Sequence, residues 1–194
     1  MASILNVDQI NNAAGTSAVT IDPSTGKPSF PNGAALPAGS VLQVVFADYN
    51  TTSSFSSSAS VDTGFDIFSL SITPSSTSSK ILIIAKGTMG SSGIDYDMSW
   101  SLKRGSSRIG GNTNSSNFLG TNVHASGAGP NEGPTTMNFQ YLDSPATTSV
   151  TTYTLVALTG EGSTHYVNRG NSVNSARTWA NSGNCSLTLM EIAQ

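Results

Sequence analysis

Charge is scarce in this sequence, in which Lys, Arg, Asp and Glu make up 10 % of 194 residues, against about 25 % in an average globular protein. Ser, Thr, Asn and Gly fill the positions that Lys and Glu normally occupy. Long surface helices favour Glu, Lys, Arg and Ala, whereas Thr suits a pleated strand and Gly, Asn and Ser suit turns. The composition therefore predicts an all-β protein.

Positive charge is especially limited, with 8 Lys and Arg against 11 Asp and Glu and a net charge of −3. Non-specific binding to nucleic acid depends on many cations that neutralise phosphates, so we expect no nucleic-acid partner. Lys103, Arg104 and Arg108 form the one local group of cations. We interpret this group as a solvated hairpin end.

Cysteine and long apolar runs are also lacking. The single Cys185 excludes an intrachain disulfide, and its alternating surroundings predict that it packs as a small apolar side chain. No apolar stretch approaches the roughly 20 residues of a membrane span, so no membrane insertion is predicted. The first residues have neither the basic nor the apolar region of a secretory signal, and we expect synthesis in a cytoplasm.

Motifs for catalysis or metal binding are missing as well. His124 and His165 have no zinc-binding context, and no Gly-x-Ser-x-Gly elbow is present. Asp95 and Asp97 would point to the same face of a strand, but no further ligand or calcium loop follows. Two solvated edge carboxylates are the favoured interpretation. We therefore predict no enzyme activity, no metal and no cofactor.

What the chain does have, from residue 40 onward, is a series of strand patterns separated by turn clusters every 8–12 residues or so. This spacing is typical of sandwiches and barrels, and it predicts an antiparallel β-sandwich with jelly-roll topology. Residues 41–47 read as a buried strand, residues 53–60 as a Ser-rich loop, Gly105 as a turn and Trp100 as core. The predicted strands are 41–47, 65–72, 80–85, 96–102, 137–142, 151–158, 165–167 and 187–192.

Residues 1–39 differ from the rest because Pro and Gly divide them into short apolar pieces. Such a segment cannot bury a core alone, so it must lie on another surface. We predict an extended N-terminal attachment or oligomerisation arm at 1–39 and a β-sandwich head at 40–194. The residues expected to make the attachment are Ile4, Leu5, Val7, Ile10, Val19 and Ile21.

Trp179 stands in a polar stretch beside Arg177 and Asn181. An exposed indole with hydrogen-bonding neighbours has the components of a sugar-binding platform. The three residues are therefore a candidate glycan-contact loop. The alternative is a Trp that is covered by a loop or buried in a subunit contact.

Residues 4–10, 19–22 and 33–37 resemble the N-terminal attachment segment of tail-fibre and related virion proteins of bacteriophages, especially phages of cyanobacteria and marine bacteria. Residues 36–44 resemble the junction into the head domain of such proteins. Further stretches are similar to parts of that head domain, at 141–145, 153–157, 167–170 and 187–192.

This resemblance implies a bacteriophage virion structural protein whose head is a homotrimeric sandwich with its final strand near the threefold axis. The arm would attach to other virion proteins, and the head would contact host surface glycan. Almost no shaft separates Gly33 from Ser40, which indicates a short tail fibre. Made in the host bacterial cytoplasm, the protein would reside in the virion.

The same motifs occur in virion proteins with other roles, so collar and capsid decoration proteins stay open as alternatives. A decoration or cement protein would lay residues 1–39 across junctions of the coat. A polysaccharide-degrading tailspike is a remote alternative, because the chain is short for a solenoid catalytic body and poor in the carboxylates of glycoside hydrolysis.

Overall fold

A computed structural model of the chain describes residues 9–11, 14–15, 17–29, 36–56, 64–91, 98–110, 120–122, 134–159, 164–170 and 183–194. In these ranges every regular element is a β-strand, and all the strand pairs are antiparallel. The all-β prediction is confirmed. The chain divides into two compact units, residues 1–37 and residues 38–194.

The first unit contains a small sheet in the order β1-β2-β3, formed by β1 (Gln9–Asn11), β2 (Ser17–Ile21) and β3 (Pro28–Ser29). Asp22 organises the turn after β2, because its Oδ1 accepts hydrogen bonds from the Ser24 amide at 2.8 Å and the Thr25 amide at 3.0 Å. Hydrogen bonds from the side chain and backbone of Ser24 lower the pKa of Asp22 to about 2. None of the side chains described in this unit is buried.

The second unit is a sandwich of two sheets. The first sheet comprises β4 (Val41–Tyr49), β5 (Ser53–Ser56), β7 (Lys80–Ser91), β11 (Thr135–Asp143), β13 (Thr164–Val167) and β14 (Cys185–Ile192). The second sheet comprises β6 (Phe65–Ile72), β8 (Met98–Arg104), β9 (Ser107–Ile109), β10 (Gly120–Asn122) and β12 (Thr151–Thr159).

The connectivity of these strands is that of a jelly roll. Strands β14 and β13 lie end to end along one side of the long β7, and β4 and β5 continue one another beside them. Strands β9 and β10 likewise continue one another beside β8. If each of these three pairs is counted as one strand, the head has eight strands, numbered in chain order. The first sheet then has the order 1-8-3-6 and the second the order 2-7-4-5. Two interleaved Greek keys have this order, so the predicted topology is confirmed.

The core lies between the sheets because alternate side chains of each strand point inward. Leu187 and Ile83 of the first sheet are fully buried, as are Leu102 and Leu155 of the second. A buried side chain of this size contributes about 1.5–3 kcal/mol. Trp100 is 1 % exposed, which confirms its predicted place in the core.

Cys185 is also buried, as predicted, and burial raises the pKa of its thiol to about 11.

Two strand predictions need correction. Residues 41–47 do not form a buried strand, since β4 is at the edge of its sheet and Val44 and Phe46 are more than half exposed. The Ser-rich stretch at 53–60 is not wholly a loop, because residues 53–56 form β5. The reason is Phe55, whose ring stacks on Phe65 with centroids 4.1 Å apart and on His165 at 5.5 Å. The serines on either side of Phe55 are small, so they can be accommodated in a strand.

Gly87 of β7 allows the two sheets to approach each other closely. A Cβ at this position would lie 2.3 Å from Cε2 of the Trp100 indole, closer than any van der Waals contact permits. The largest core side chain therefore packs directly on the backbone of the first sheet. No periodicity in the sequence signals this pairing, since a glycine carries no hydrophobic pattern.

Gly87→Ala is expected to destabilise the head by about 2–3 kcal/mol, because the methyl group overpacks a rigid aromatic contact. Urea unfolding of both single variants and of the double variant with Trp100→Phe measures the effect as a double-mutant cycle. The smaller ring of Trp100→Phe should relieve part of the overpacking. Additive effects of the two substitutions would contradict the packing described here.

Candidate assembly surface

The outward side chains of the first sheet form an unusually apolar surface. The aligned register places one apolar residue from each of four strands in a row across the sheet. A second row, two residues further along each strand, mixes apolar and polar side chains. The first row is Val44, Met190, Leu82 and Leu142, and the second is Phe46, Thr188, Ile84 and Gln140. We call these two rows the apolar face.

Several of these side chains are open to solvent in the single chain. The exposed fraction is 58 % for Phe46, 53 % for Val44 and 48 % for Leu142. Isolated exposed apolar residues are ordinary, but contiguous apolar patches on soluble proteins mark interaction sites. The apolar face has the properties of a surface that is covered in the assembled protein.

The next row along the same sheet is polar, and two hydrogen bonds connect its charged side chains. Lys86 Nζ donates a hydrogen bond to Asn184 Oδ1 at 2.6 Å, and Asn184 Nδ2 donates to Asp48 Oδ1 at 3.2 Å. The amide therefore links the cation to the carboxylate, and their charges offset each other. The apolar face is bordered on this side by a neutral polar row.

The outward surface of the second sheet has a different chemistry. Hydroxyl pairs bridge β6 and β12, with Ser69 to Thr154 and Ser71 to Thr152 each at 2.8 Å. Lys103 Nζ lies 2.6 Å from Asp66 Oδ1 in an ion pair. These polar groups pair with one another, and among the described side chains the exposed apolar rows are on the first sheet.

The first residues of the head unit lie at one end of the sandwich, which we call the anchor end. Gly39 N donates to Ala193 O at 2.8 Å, and Ala193 N donates to Ser40 O at 2.9 Å. The start of the head and the last residues of β14 are thus joined side by side. The apolar face lies in the half of the sheet next to this end, because Val44 is only three residues beyond Val41, the first residue of β4.

An ionic cluster links the two sheets at the anchor end. Arg104 Nη1 lies 2.9 and 2.8 Å from the two carboxylate oxygens of Asp143, and the Tyr153 hydroxyl donates to Asp143 Oδ2 at 2.7 Å. Burial, with the hydrogen bond to Asp143, raises the pKa of Tyr153. The interpretation of Arg104 as a solvated hairpin cation is wrong, because the buried Asp143 requires a counter-charge.

Glu191 is a second buried carboxylate at this end. Its side chain accepts hydrogen bonds from Gln43 Nε2 at 2.5 Å and from the amide and hydroxyl of Ser75, each at 2.7 Å. Burial alone would raise the pKa of Glu191, but the hydrogen bonds from Gln43, Ser75 and Ser79 outweigh it and hold the pKa at about 2. Glu191 therefore ties the edge of the first sheet to the connection after β6.

Asn168 performs a similar role at the opposite end, which we call the far end. In the left-handed region with φ of 61°, it donates from Nδ2 to Tyr49 O at 2.7 Å and to Thr51 O at 3.1 Å. Its Oδ1 accepts a hydrogen bond from the Cys185 thiol at 3.2 Å. One buried amide thus holds three segments together beneath the far end.

Of the predicted attachment residues, Ile10 and Val19 are cross-strand partners in β1 and β2, and Ile21 pairs with Pro28 of β3. Ile10 is 49 % exposed. The other attachment residues and the candidate glycan-contact residues lie outside the described ranges, and their roles stay predictions. These are Ile4, Leu5, Val7, Arg177, Trp179 and Asn181.

Sequence reasoning missed the apolar face. A signal was available in residues 41–47 of β4 and 81–85 of β7, where the side chains that point to one side of the strand and those that point to the other are mostly apolar. Such runs predict strands buried on both sides, and in a two-layer sandwich one of those sides has no intrachain cover.

Among the described residues, no group of three or more His, Cys, Asp or Glu side chains is arranged to hold a metal ion. The same part of the chain contains no helix long and apolar enough to cross a membrane.

No protein-family model matches the chain, and no curated protein matches it. Solved structures of infectious bursal disease virus resemble it weakly. The Gt strain structure has a TM-score of 0.39 and 13 % identity over 91 % of this chain and 42 % of the viral chain. The VP2 subviral particle has a TM-score of 0.38 and 14 % identity over 98 % and 51 %, respectively.

The chain thus spans about half the length, or less, of these viral chains. TM-scores this low do not establish a common fold, and they assign neither a family nor a function to this protein.

Glu191→Gln is expected to lower the stability of the head at pH 7 by about 2 kcal/mol, the contribution of hydrogen bonds to a charged group. Because the folded pKa of about 2 lies below the ordinary 4.5, this stabilisation is present above pH 4.5 and is lost as the pH falls toward 2. Urea unfolding at pH 7 and pH 3 should therefore show a smaller difference between variant and wild type at the lower pH.

Ser75→Ala removes one donor, the hydroxyl, and retains the backbone amide, so it should give a smaller loss than Glu191→Gln. Ser76→Ala is the matched control, because the Ser76 hydroxyl bonds Ser78 instead. A Glu191→Gln effect of equal size at both pH values would contradict the low pKa.

Proposed function

We propose that the chain is a bacteriophage virion structural protein, a short homotrimeric tail fibre that attaches to the particle by residues 1–39 and contacts the host surface with its head. The observation that carries this proposal is the difference between the two ends of the jelly roll. One end receives the arm and is closed by buried polar clusters. The other end is where the long strand connections begin and finish.

The register supports this polarity. The connections at the anchor end run from 73 to 79, from 105 to 106 and from 144 to 150, and Gly105 N donates to Thr152 O at 3.0 Å in the tightest of them. Connections from 57 to 64, 92 to 97, 123 to 134 and 160 to 163 join strands at the far end, and the connection from 168 to 184 leaves beside Met89 of β7. Binding residues concentrate on such connections when a rigid scaffold supports them.

The candidate glycan contact is attached to the half of the sheet away from the anchor end. Arg177, Trp179 and Asn181 belong to the connection between β13 and β14, whose flanking residues Val167 and Cys185 pair with Met89 of β7 and Tyr49 of β4. A sugar-binding residue in this connection would be attached to that half of the head. The polar, low-charge composition suits contact with a hydrated polysaccharide.

A capsid decoration protein is the second candidate, and the apolar face is the observation that favours it. In that case the face and residues 1–39 would both lie on coat subunits, and particles without the protein would lose stability while adsorption continued. A polysaccharide-degrading tailspike is a third and remote proposal. Incubation of the protein with host envelope polysaccharide would release fragments only under that proposal.

Electron microscopy of intact particles labelled with antibody to residues 40–194 tests the location. Label at the tail is expected for a fibre, and label spread over the head would replace the fibre with the decoration protein. A host-binding test follows with Trp179→Ala, which should reduce adsorption of purified protein to host cells at least tenfold by removing the sugar-stacking surface.

Val150→Ala is the matched control for adsorption. Val150 is 68 % exposed and belongs to the anchor-end connection, so its substitution should leave adsorption unchanged. Equal adsorption by the wild type and Trp179→Ala would remove Trp179 from the receptor site.

A further inference from the structure

We infer that the apolar face is the contact between copies of this chain, with Phe46 as its main anchor. The inference rests on the proposed function, because it names the surface by which the oligomer forms. Its occupant is a second copy of the chain and not a coat protein. Three properties of the described residues support this choice: the area of the sheet, the charges on its outer side, and the position of the apolar face near the anchor end.

The size of the outer surface fits a subunit contact. Four strand positions about 4.8 Å apart, with strands of about nine residues at 3.4 Å each, span roughly 19 by 30 Å. A stable interface buries about 800 Å² of accessible surface on each partner. The sheet is therefore large enough to form the core of such an interface, with the apolar face as the part most completely removed from water.

The charge on this sheet suits a position beside a threefold axis, where each copy contacts two others through different parts of the same sheet. Asp48 and Lys86 are connected through Asn184, so each copy has a neutral row beside its apolar face. Glu191 lies inside the sandwich and is saturated by hydrogen bonds. The charged side chains on the outer side of the described strands of this sheet are Asp48, Lys80 and Lys86, and none of them is within the apolar face. Like charges that meet about a symmetry axis repel, so a face without charges can lie beside such an axis without that cost.

The position of the apolar face also favours a second copy. Its two rows lie toward the anchor end, where Gly39 and Ser40 bond Ala193 beside Val41 and Ile192. Copies that pack through this half of the sheet have the first residues of their heads close together. The polar row of Asp48 and Lys86 then lies on the side of the contact toward the far end.

Phe46 is the residue best suited to anchor the contact. It is the most exposed side chain of the face at 58 %, and β4 pairs only with β14 among the described strands of its sheet. Its ring therefore stands at the free edge, within reach of a neighbouring copy. Aromatic residues of this kind carry a large share of the binding energy in interfaces.

The native mass of the full chain, measured by sedimentation velocity over a range of concentrations, tests the inference. The wild type is expected to sediment as three copies of the 19.9 kDa chain. The double variant Val44→Ser, Phe46→Ser should raise the dissociation constant at least about 100-fold and sediment as a monomer. Both side chains point outward, so far-UV circular dichroism should show an unchanged β-sandwich.

Val150→Ser is the matched control, since it removes an equally exposed apolar side chain that is outside the sheet, and it should remain trimeric. Thr188→Arg is a second disrupting variant, because it adds a charge at the centre of the face without removing any apolar contact. It should also sediment as a monomer, which keeps the test decisive if the serine variant does not fold.

The outcomes separate this inference from the proposed function. A trimeric wild type with trimeric Val44→Ser, Phe46→Ser and Thr188→Arg variants would overturn the interface and leave the trimeric fibre standing. A monomeric wild type would overturn both the interface and the trimer. If that monomer bound purified particles through the apolar face, and the variants did not, the occupant would be a coat protein and the decoration role would replace the fibre.

Discussion

Strand β7 supports both layers of the head, because its twelve residues have hydrogen-bonded neighbours along both sides and side chains that serve two surfaces. Inward, Ile81 and Ile83 build the core, and Gly87 provides the room that the Trp100 ring occupies. Outward, Leu82 and Ile84 contribute to the apolar face. A change in the register of β7 by one residue would exchange these two sets, so the fold and the candidate assembly surface depend on the same alignment.

A few charged side chains hold the two sheets and their connections together. Arg104 compensates the buried Asp143, and Glu191 is held by neutral donors of the connection after β6. Hydroxyl pairs such as Ser69 with Thr154 take the place that ion pairs occupy on most surfaces. The result is a head whose polar groups bond to one another, which reduces the effect of salt on its stability, since neutral hydrogen bonds are not screened as exposed charges are.

Local pattern was sufficient to predict most of the sandwich. The alternation of Phe68, Leu70 and Ile72, and the repeated turn signals, predicted eight of the eleven strands described in the head and the jelly-roll arrangement, whereas β5, β9 and β10 were missed. Contacts between residues distant in the chain could not be obtained in this way, because nothing local links Arg104 to Asp143 or Gly87 to Trp100. The apolar face was missed for a related reason: an apolar run indicates cover on both sides of a strand, without indicating whether that cover comes from the same chain.

The hydrogen bonds that join Gly39 to Ala193 also bear on where a foreign peptide could be added to the protein. Because they hold Ala193 beside Gly39, a peptide joined after Gln194 would leave the sandwich at the anchor end. An insertion between Asn122 and Pro134 would leave it at the opposite end, since Asn122 pairs with Met98 and Thr135 with Met89. A foreign epitope could therefore be displayed at either end of the sandwich, according to which of these two sites receives it.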